Sequence, residues 1–307
     1  MAAQPKPNDW LGLAALVVFW GTSFAFTKTA VATISPEWVV AGRLCAAAVI
    51  LLAACVITGR KLPRGMALWA WFAWLAVIGN MLPFYLISWG TVHIASGVAG
   101  ILMAIVPLTV IVLAHFVLPD EKLNRNKIAG FVIGFAGVVI LFGIDKIANF
   151  SGQGIAFWGQ IAVIAATFCY AIHSISARLM PKTGPVEMSA AVMLLASVGA
   201  VAAALIRSPD GMANADMWSI LSVLALGVFA TALASIVLYH LLSSAGPSFV
   251  AYCNYLIPAF AVIVGVAVMG EEISKSALLG LVLIMSGIAI SRRQSDKTRT
   301  PTLKRGA

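Results

Sequence analysis

Long apolar runs separated by short polar turns fill almost the whole chain, and this pattern predicts membrane-spanning helices. A helix rises ~1.5 Å per residue and must cross a hydrocarbon core of ~30 Å, so about 20 apolar residues make one span. Runs of that length are predicted as spans at roughly 10–30, 37–58, 67–90, 94–118, 128–144, 154–180, 186–206, 217–241, 247–269 and 275–291. The runs do not alternate at a period of two, which excludes a transmembrane β-barrel.

The ten predicted spans divide into two groups of five, with a weak internal repeat at an offset of 151 residues. That offset aligns Leu82 with Leu233 and Pro107 with Pro258. Because each group has an odd number of spans, the second group must enter the membrane in the opposite orientation. We therefore predict an all-α integral membrane protein of ten transmembrane helices, built as two inverted five-helix repeats. The predicted parts are an N-terminus 1–9, a first repeat 10–144, a second repeat 154–291 and a basic tail 292–307.

Composition and charge agree with a membrane protein and fix its predicted orientation. The chain is 61% hydrophobic and 10% charged, whereas soluble domains are nearer ~25% charged. With the N-terminus in the cytoplasm, fifteen Lys and Arg residues fall on the cytoplasmic side and four outside. This bias predicts that both termini lie in the cytoplasm, at the cell (inner) membrane. The net charge of +9 therefore indicates membrane anchoring and not a nucleic-acid partner.

Several short motifs occur in a recognisable order along the chain. They are Trp20-Gly21-Thr22-Ser23-Phe24 with Lys28, Arg43, Ala95-Ser96 with Leu102 and Pro107, Glu121, Ala245-Gly246-Pro247 with Pro258, and Glu271-Glu272. Over about residues 10–291 the chain resembles the drug/metabolite transporter superfamily, specifically its ten-span EamA type. The resemblance implies transport of small metabolites, usually export, with the substrate in a central cavity between the halves. The aromatic and neutral amino-acid exporters are the group that it favours. The second half has no counterpart of Arg43.

Polar and aromatic residues near the predicted midplane are the candidates for binding a substrate. Counting from the span ends places ten of them at similar depth: Trp20, Ser23, Asn80, Tyr85, Met103, Thr167, Tyr170, Tyr252, Asn254 and Tyr255. Amides and tyrosines at one depth suit a neutral or zwitterionic ligand with an apolar part. The alternative for each residue is an interhelical hydrogen bond, worth about 0.6 kcal/mol in a membrane.

Two further residues are candidates for a charge or proton role. Arg43 lies inside the second span, where it can reach outward, pair with Glu37 or meet a substrate carboxylate. His173 is the deepest histidine, and it is either a packed side chain or a proton relay. All eleven acids fall in loops or at span ends. Because no span interior carries a carboxylate, we expect facilitated diffusion instead of obligatory proton exchange.

Motifs for enzymes are missing from the sequence, which has no Walker A, no HExxH and no paired intramembrane Asp. We expect no catalytic residues, no cofactor and no metal. The predicted function is a secondary transporter that exports small organic metabolites, above all amino acids, by alternating access. The alternatives are a proton-coupled drug/metabolite antiporter and, in another class, a membrane receptor or scaffold that does not transport. The expected partners are a zwitterionic small molecule and the lipid bilayer. The sequence does not determine the oligomeric state, and it is compatible with a monomer.

Overall fold

The computed structural model describes residues 6–119, 123–142 and 154–291, and each regular element in these ranges is a helix. The main helices there are α1 (Pro7–Ala30), α2 (Pro36–Ile57), α3 (Met66–His93), α4 (Ser96–Val117), α5 (Arg125–Phe142), α6 (Ile155–Leu179), α7 (Pro185–Arg207), α8 (Met217–Ser244), α9 (Cys253–Ala267) and α10 (Lys275–Ser291). A single helical turn, Pro247–Val250, precedes α9. The motif residue Glu121 and the predicted basic tail 292–307 lie outside the described residues.

Seven of these helices, α1 to α4 and α6 to α8, are long and apolar enough to cross a membrane. Helices α9 and α10 are apolar but shorter, with 15 and 17 residues. The chain is therefore an all-helical, multi-pass membrane protein, while the count of ten crossings stays a prediction. Most helix bounds lie within about three residues of the predicted spans, because the polar turns between apolar runs also end the helices.

The helices pack in pairs that join equivalent positions of the two predicted halves. Helix α2 packs on α7, α4 on α9 and α5 on α10, while α1 packs on α8 and α6 on α3. Small residues allow the closest of these approaches. A Cβ added at Gly137 of α5 would lie 2.7 Å from the backbone oxygen of Gly280 in α10. The scaffold thus has a pairwise symmetry in its helix contacts.

One end of the bundle, here called the Lys28 end, contains the turns α1–α2, α3–α4, α7–α8 and α9–α10. The Lys28 ammonium donates to the backbone oxygens of Thr91 (2.7 Å) and Ile94 (3.0 Å), where α3 ends. The Glu271 carboxylate, from the α9–α10 turn, accepts from the backbone N–H of Ser96 (2.6 Å), where α4 begins. A cation at a helix C-terminus and an anion at an N-terminus both stabilise helix ends. The α3–α4 turn is therefore bonded both to α1, through Lys28, and to the α9–α10 turn, through Glu271.

The opposite end, here called the Asp9 end, is held by polar contacts between the halves. Asp9 in the first turn of α1 accepts from the Ser244 hydroxyl at the end of α8 (2.6 Å). Arg60, just beyond α2, pairs with Glu187 in the first turn of α7 (3.2 Å). These bonds tie α1 to α8 and α2 to α7 at their ends.

The two mid-span prolines have different effects on their helices. Helix α4 is interrupted at residues 104–105, directly before Pro107, as expected for a residue that lacks a backbone donor. In the second half the interruption falls earlier, at residues 251–252, and Pro258 lies inside continuous helix. The two prolines that the repeat aligns therefore differ: Pro107 closely follows an interruption of α4, whereas Pro258 leaves α9 continuous.

Candidate functional site

Helices α3 and α8 each contain a π-helical segment near the middle. The segments are Val77–Met81 in α3 and Val228–Leu233 in α8. They begin 151 residues apart, at the offset that the sequence repeat predicts. A π turn inserts an extra residue, so one backbone carbonyl loses its usual partner four residues later. Such segments occur often at functional sites.

A polar side chain takes up the released carbonyl in each π segment. Asn80 Nδ2 donates to the oxygen of Leu75 (3.2 Å), and Thr231 Oγ1 donates to the oxygen of Leu226 (2.9 Å). Both bonds reach back five residues. Asn80 and Thr231 are themselves 151 residues apart and are both buried. The third helix of each predicted half, α3 and α8, therefore has the same bond from a side chain to the carbonyl five residues earlier. An amide makes this bond in α3 and a hydroxyl makes it in α8.

Arg43 of α2 joins the two π-containing helices. Its side chain is 9% exposed, its Nε donates to Thr231 Oγ1 (2.8 Å), and its guanidinium lies 3.7 Å above the Phe84 ring of α3. An arginine over an aromatic face is a cation–π contact. In the described ranges Thr231 is the only hydrogen-bond acceptor that Arg43 meets, and no carboxylate there pairs with it. Its terminal nitrogens therefore keep their capacity to bind an anion.

Helix α6 contributes two further residues, Tyr170 and His173, to the group around Arg43 and the π segments. Tyr170 is half-buried and packs against both of the largest apolar clusters, one of which contains Phe84. The His173 ring lies on Gly79 of the first π segment, where an added Cβ would come within 2.7 Å of the ring carbon Cγ. We call the group of Arg43, Asn80, Phe84, Tyr170, His173 and Thr231 the Arg43 site. It gathers residues from α2, α3, α6 and α8.

Helix α1 contacts the second π segment through the predicted residue Trp20. The Trp20 indole N–H donates to the backbone oxygen of Ala230, within that segment (3.2 Å). Ser23 is buried and donates to the oxygen of Trp20 in its own helix (2.6 Å). Trp20 therefore lies beside the Arg43 site, while the Ser23 hydroxyl is used within α1.

Three other predicted residues belong to an apolar cluster around α4, α6 and α9. Thr167 is fully buried, donates to the oxygen of Ile164 (2.7 Å) and lies 3.4 Å from the Thr109 hydroxyl. Met103 and Tyr255 are half-buried against the same cluster. The Thr167 hydroxyl therefore bonds within and between helices, which is the alternative to substrate binding that the sequence left open for each polar residue.

The remaining predicted residues lie elsewhere. Tyr252 is 51% exposed and stacks on Trp10 of α1, with ring centroids 6.4 Å apart. Asn254 donates to the oxygen of Ala251 in its own turn (3.2 Å). Tyr85 faces a cavity on the flank of α3. The sequence grouped these residues by predicted depth alone, whereas in the structure Tyr252 lies against Trp10 and Tyr85 lines the cavity on the flank of α3.

Sequence reasoning missed two members of the Arg43 site, Thr231 and Phe84. Thr231 is recoverable, because the 151-residue offset aligns it with Asn80. Phe84 gives no such signal, since it reads as one apolar residue in an apolar helix. Its role depends on the rotation that brings its ring under Arg43.

The fold defines a helical, multi-pass membrane protein, and comparison with known proteins gives the family. A family described as "EamA-like transporter family" matches residues 9–143 and 157–293, which together cover most of the chain. The chain therefore belongs to the EamA-like transporter family, within the drug/metabolite transporter superfamily.

Relatives from distant organisms carry transporter names. An "Uncharacterized transporter" of Archaeoglobus fulgidus is 26% identical over 94% of this chain and 99% of its own length. The "Uncharacterized inner membrane transporter YedA" of Escherichia coli is 28% identical over 91% and 88%. "Uncharacterized transporter YvbV" of Bacillus subtilis is 27% identical over 99% and 97%. A crystal structure at 19% identity superposes with a TM-score of 0.66 over 92% of this chain and 97% of that one, a likeness of fold alone.

Proposed function

We propose that this transporter exports small organic metabolites that carry a carboxylate, above all amino acids, by alternating access between its two halves. The observation that carries the proposal is the buried Arg43, whose terminal nitrogens meet no acceptor among the residues of the described ranges. A cation inside the membrane without a counter-ion is costly, so such a residue marks a substrate site by default. An arginine binds a carboxylate through two parallel N–H donors.

The rest of the Arg43 site suits the other parts of an amino acid. The Asn80 amide donates through Nδ2 to Leu75, which leaves its Oδ1 to accept from a substrate ammonium. The Phe84 ring offers an apolar surface beside Arg43, and Tyr170 packs against the apolar cluster to which Phe84 belongs. These groups support a zwitterion with an apolar side chain as the substrate.

The scaffold supports an alternating-access mechanism. Helix pairs join equivalent positions of the halves, and each third helix contains a π segment at a matching position. In the orientation that the charge bias predicts, the Lys28 end faces outside and the Asp9 end faces the cytoplasm. Opening to the outside would then have to break the bonds from Lys28 to α3 and from Glu271 to α4.

The predicted orientation can be checked with single cysteines in a background without the four native ones. A cysteine at Ala213, in the α7–α8 turn, should react with an impermeant maleimide only from outside. A cysteine at Lys182, in the α6–α7 turn, should react only from the cytoplasmic side. Labelling of both from one side would contradict the arrangement.

Energy coupling by facilitated diffusion is supported by the composition of the Arg43 site, which contains no acid. Asp9 is the buried acid of the described helices, and it lies in the first turn of α1 with both oxygens bonded, to Ser244 and to the Lys6 N–H. A carboxylate held in this way at the bundle end does not contact the substrate site. Transport therefore follows the substrate gradient.

Counterflow in proteoliposomes tests the substrate class. Vesicles loaded with one unlabelled amino acid should accumulate the same labelled amino acid, and a panel of side chains identifies the preferred one. The matching amino-acid carboxamides, which lack the anionic group, should not exchange. The variant Arg43→Gln should lose counterflow, whereas Arg60→Gln, which removes an exposed guanidinium at the Asp9 end, should keep it. Carboxamides that exchange as fast as the acids would overturn the proposal, and no flux of any substrate would favour the scaffold alternative.

A further inference from the structure

A cavity of about 270 Å³ opens on the flank of the bundle between α3 and α7, with α2 behind it. None of its lining residues belongs to the Arg43 site. Its wall is apolar below and charged at the rim, and its lining residues are Glu37, Val40, Val77, Met81, Leu82, Tyr85, Ala200, Ala203 and Arg207. Val77 and Leu82 are 47% and 39% exposed on a surface of apolar helices. The cavity therefore opens sideways, toward the acyl chains of a surrounding bilayer.

The rim carries groups of opposite charge that are only loosely paired. Arg207 Nε lies 3.7 Å from Glu37 Oε1, longer than a hydrogen bond, and its guanidinium lies 5.8 Å from the Tyr85 ring. The other Glu37 oxygen accepts from the Ser208 hydroxyl (3.1 Å). The Arg207 side chain is 65% exposed, while that of Glu37 is 12% exposed and faces the cavity. The rim thus offers donors on one side and a carboxylate on the other.

We propose that this cavity binds a phospholipid whose head group carries both a primary ammonium and a phosphate. The phosphate meets Arg207 and the Tyr85 hydroxyl, the ammonium meets Glu37, and the upper part of one acyl chain lies on the alanines and Val40. Charge complementarity selects this head group, because a choline has no N–H to donate to Glu37 and a glycerol head group has no cation. The cavity is below the ~300–1,000 Å³ that encloses a drug-sized ligand, so only part of the occupant enters and the rest stays in the bilayer.

The position of the cavity couples it to the substrate site. Val77 and Met81 line the cavity and belong to the first π segment, which also contains Asn80 of the Arg43 site. Met81 is also packed on Gly199 of α7, where an added Cβ would lie 2.9 Å from the Met81 methyl carbon. A lipid held here braces the π segment from outside the bundle. We therefore expect the lipid to change transport as well as stability.

Thermal unfolding and native mass spectrometry of the detergent-purified protein test the proposal. Added phosphatidylethanolamine should raise the melting temperature by several degrees and remain bound in the gas phase, because a ligand of the native state stabilises it. Phosphatidylcholine and phosphatidylglycerol should do so much less. The cavity-filling variant Ala203→Trp, which keeps both rim charges, should lose the shift. Arg207→Gln should reduce it.

The ion pair of Arg60 with Glu187 supplies a matched control at the other end of the same helix pair. Arg60→Gln breaks a bond between α2 and α7 without touching the cavity, so its lipid-dependent shift should equal that of the wild type. Equal stabilisation by phosphatidylglycerol, or an unchanged shift in Ala203→Trp, would overturn the proposal. Since the readouts are melting temperature and lipid retention, they do not depend on which substrate is transported.

Discussion

The π segments of α3 and α8 are alike in backbone and position but differ in what faces them. Each bonds a polar side chain to the carbonyl five residues earlier. Thr231 of α8 also accepts from Arg43, whereas the segment of α3 carries Asn80 and receives the His173 ring on Gly79. The region of α7 that matches Arg43 under the repeat, residues 187–193, contains no arginine. The buried cation near the π segments therefore comes from the first half only.

In the proposed mechanism this difference separates the segments that would move from the residue that would bind the substrate. Each third helix contains a π segment at a matching position. Arg43, in contrast, would provide a single place for an anion. Substitutions that act on one segment alone should therefore alter transport in different ways, and the four predictions below test this difference in order of decreasing effect.

Arg43→Gln should have the largest effect. Hydrogen bonds to charged groups contribute about 1.5–3 kcal/mol, and each 1.4 kcal/mol is tenfold, so transport should fall by about 10- to 100-fold. The measurement is initial counterflow per folded protein. Arg43→Lys keeps the charge but loses the paired donors, so it should recover only part of the activity. Full activity of Arg43→Gln would mean that the guanidinium is structural.

Thr231→Val should reduce transport more than Asn80→Ala does. Valine removes both the acceptor for Arg43 and the bond to Leu226, so we expect about a tenfold loss, which Thr231→Ser should largely restore. Asn80→Ala removes one bond within α3 and one ligand contact, so flux should fall a fewfold with little loss of thermal stability. Reduced stability of Asn80→Ala with normal flux per folded molecule would assign that residue to helix packing.

Gly79→Ala should act mainly on stability. The added Cβ overlaps the His173 ring, and forcing a methyl group into a packed interior costs about 1–3 kcal/mol. Gly154→Ala, at a glycine with nothing within 4 Å of the added Cβ, is the matched control and should be neutral. The comparison is made by melting temperature in detergent. An unchanged Gly79→Ala protein would mean that α6 does not pack against this segment as described.

His173→Ala should have the smallest effect of these substitutions, because it should leave energy coupling unchanged. Transport should run in either direction without an imposed pH gradient, a protonophore should not slow it, and the variant should keep this behaviour. The reason is that no acid belongs to the Arg43 site. Uphill accumulation driven by a pH gradient and abolished in His173→Ala would instead identify a proton-coupled antiporter.

Sequence reasoning could predict the helices and their order because the apolar runs are as long as the bilayer is thick. It could also place Asn80, Tyr170 and Arg43 inside helices α3, α6 and α2. It could not predict helix rotation, and Tyr252 and Tyr85 lie against Trp10 and on the flank of α3. The π segments have no distinctive amino-acid composition, so their positions could not be predicted from the sequence.

A binding measurement on purified protein tests the role of Arg43 most directly. Dissociation constants are measured by titration calorimetry for the preferred amino acid and its carboxamide, with wild type and Arg43→Gln. If Arg43 binds the carboxylate, the wild type should prefer the acid by at least tenfold, and the variant should bind acid and amide almost equally. Retention of the full preference for the acid in Arg43→Gln would contradict the assignment of Arg43 as the anion-binding residue.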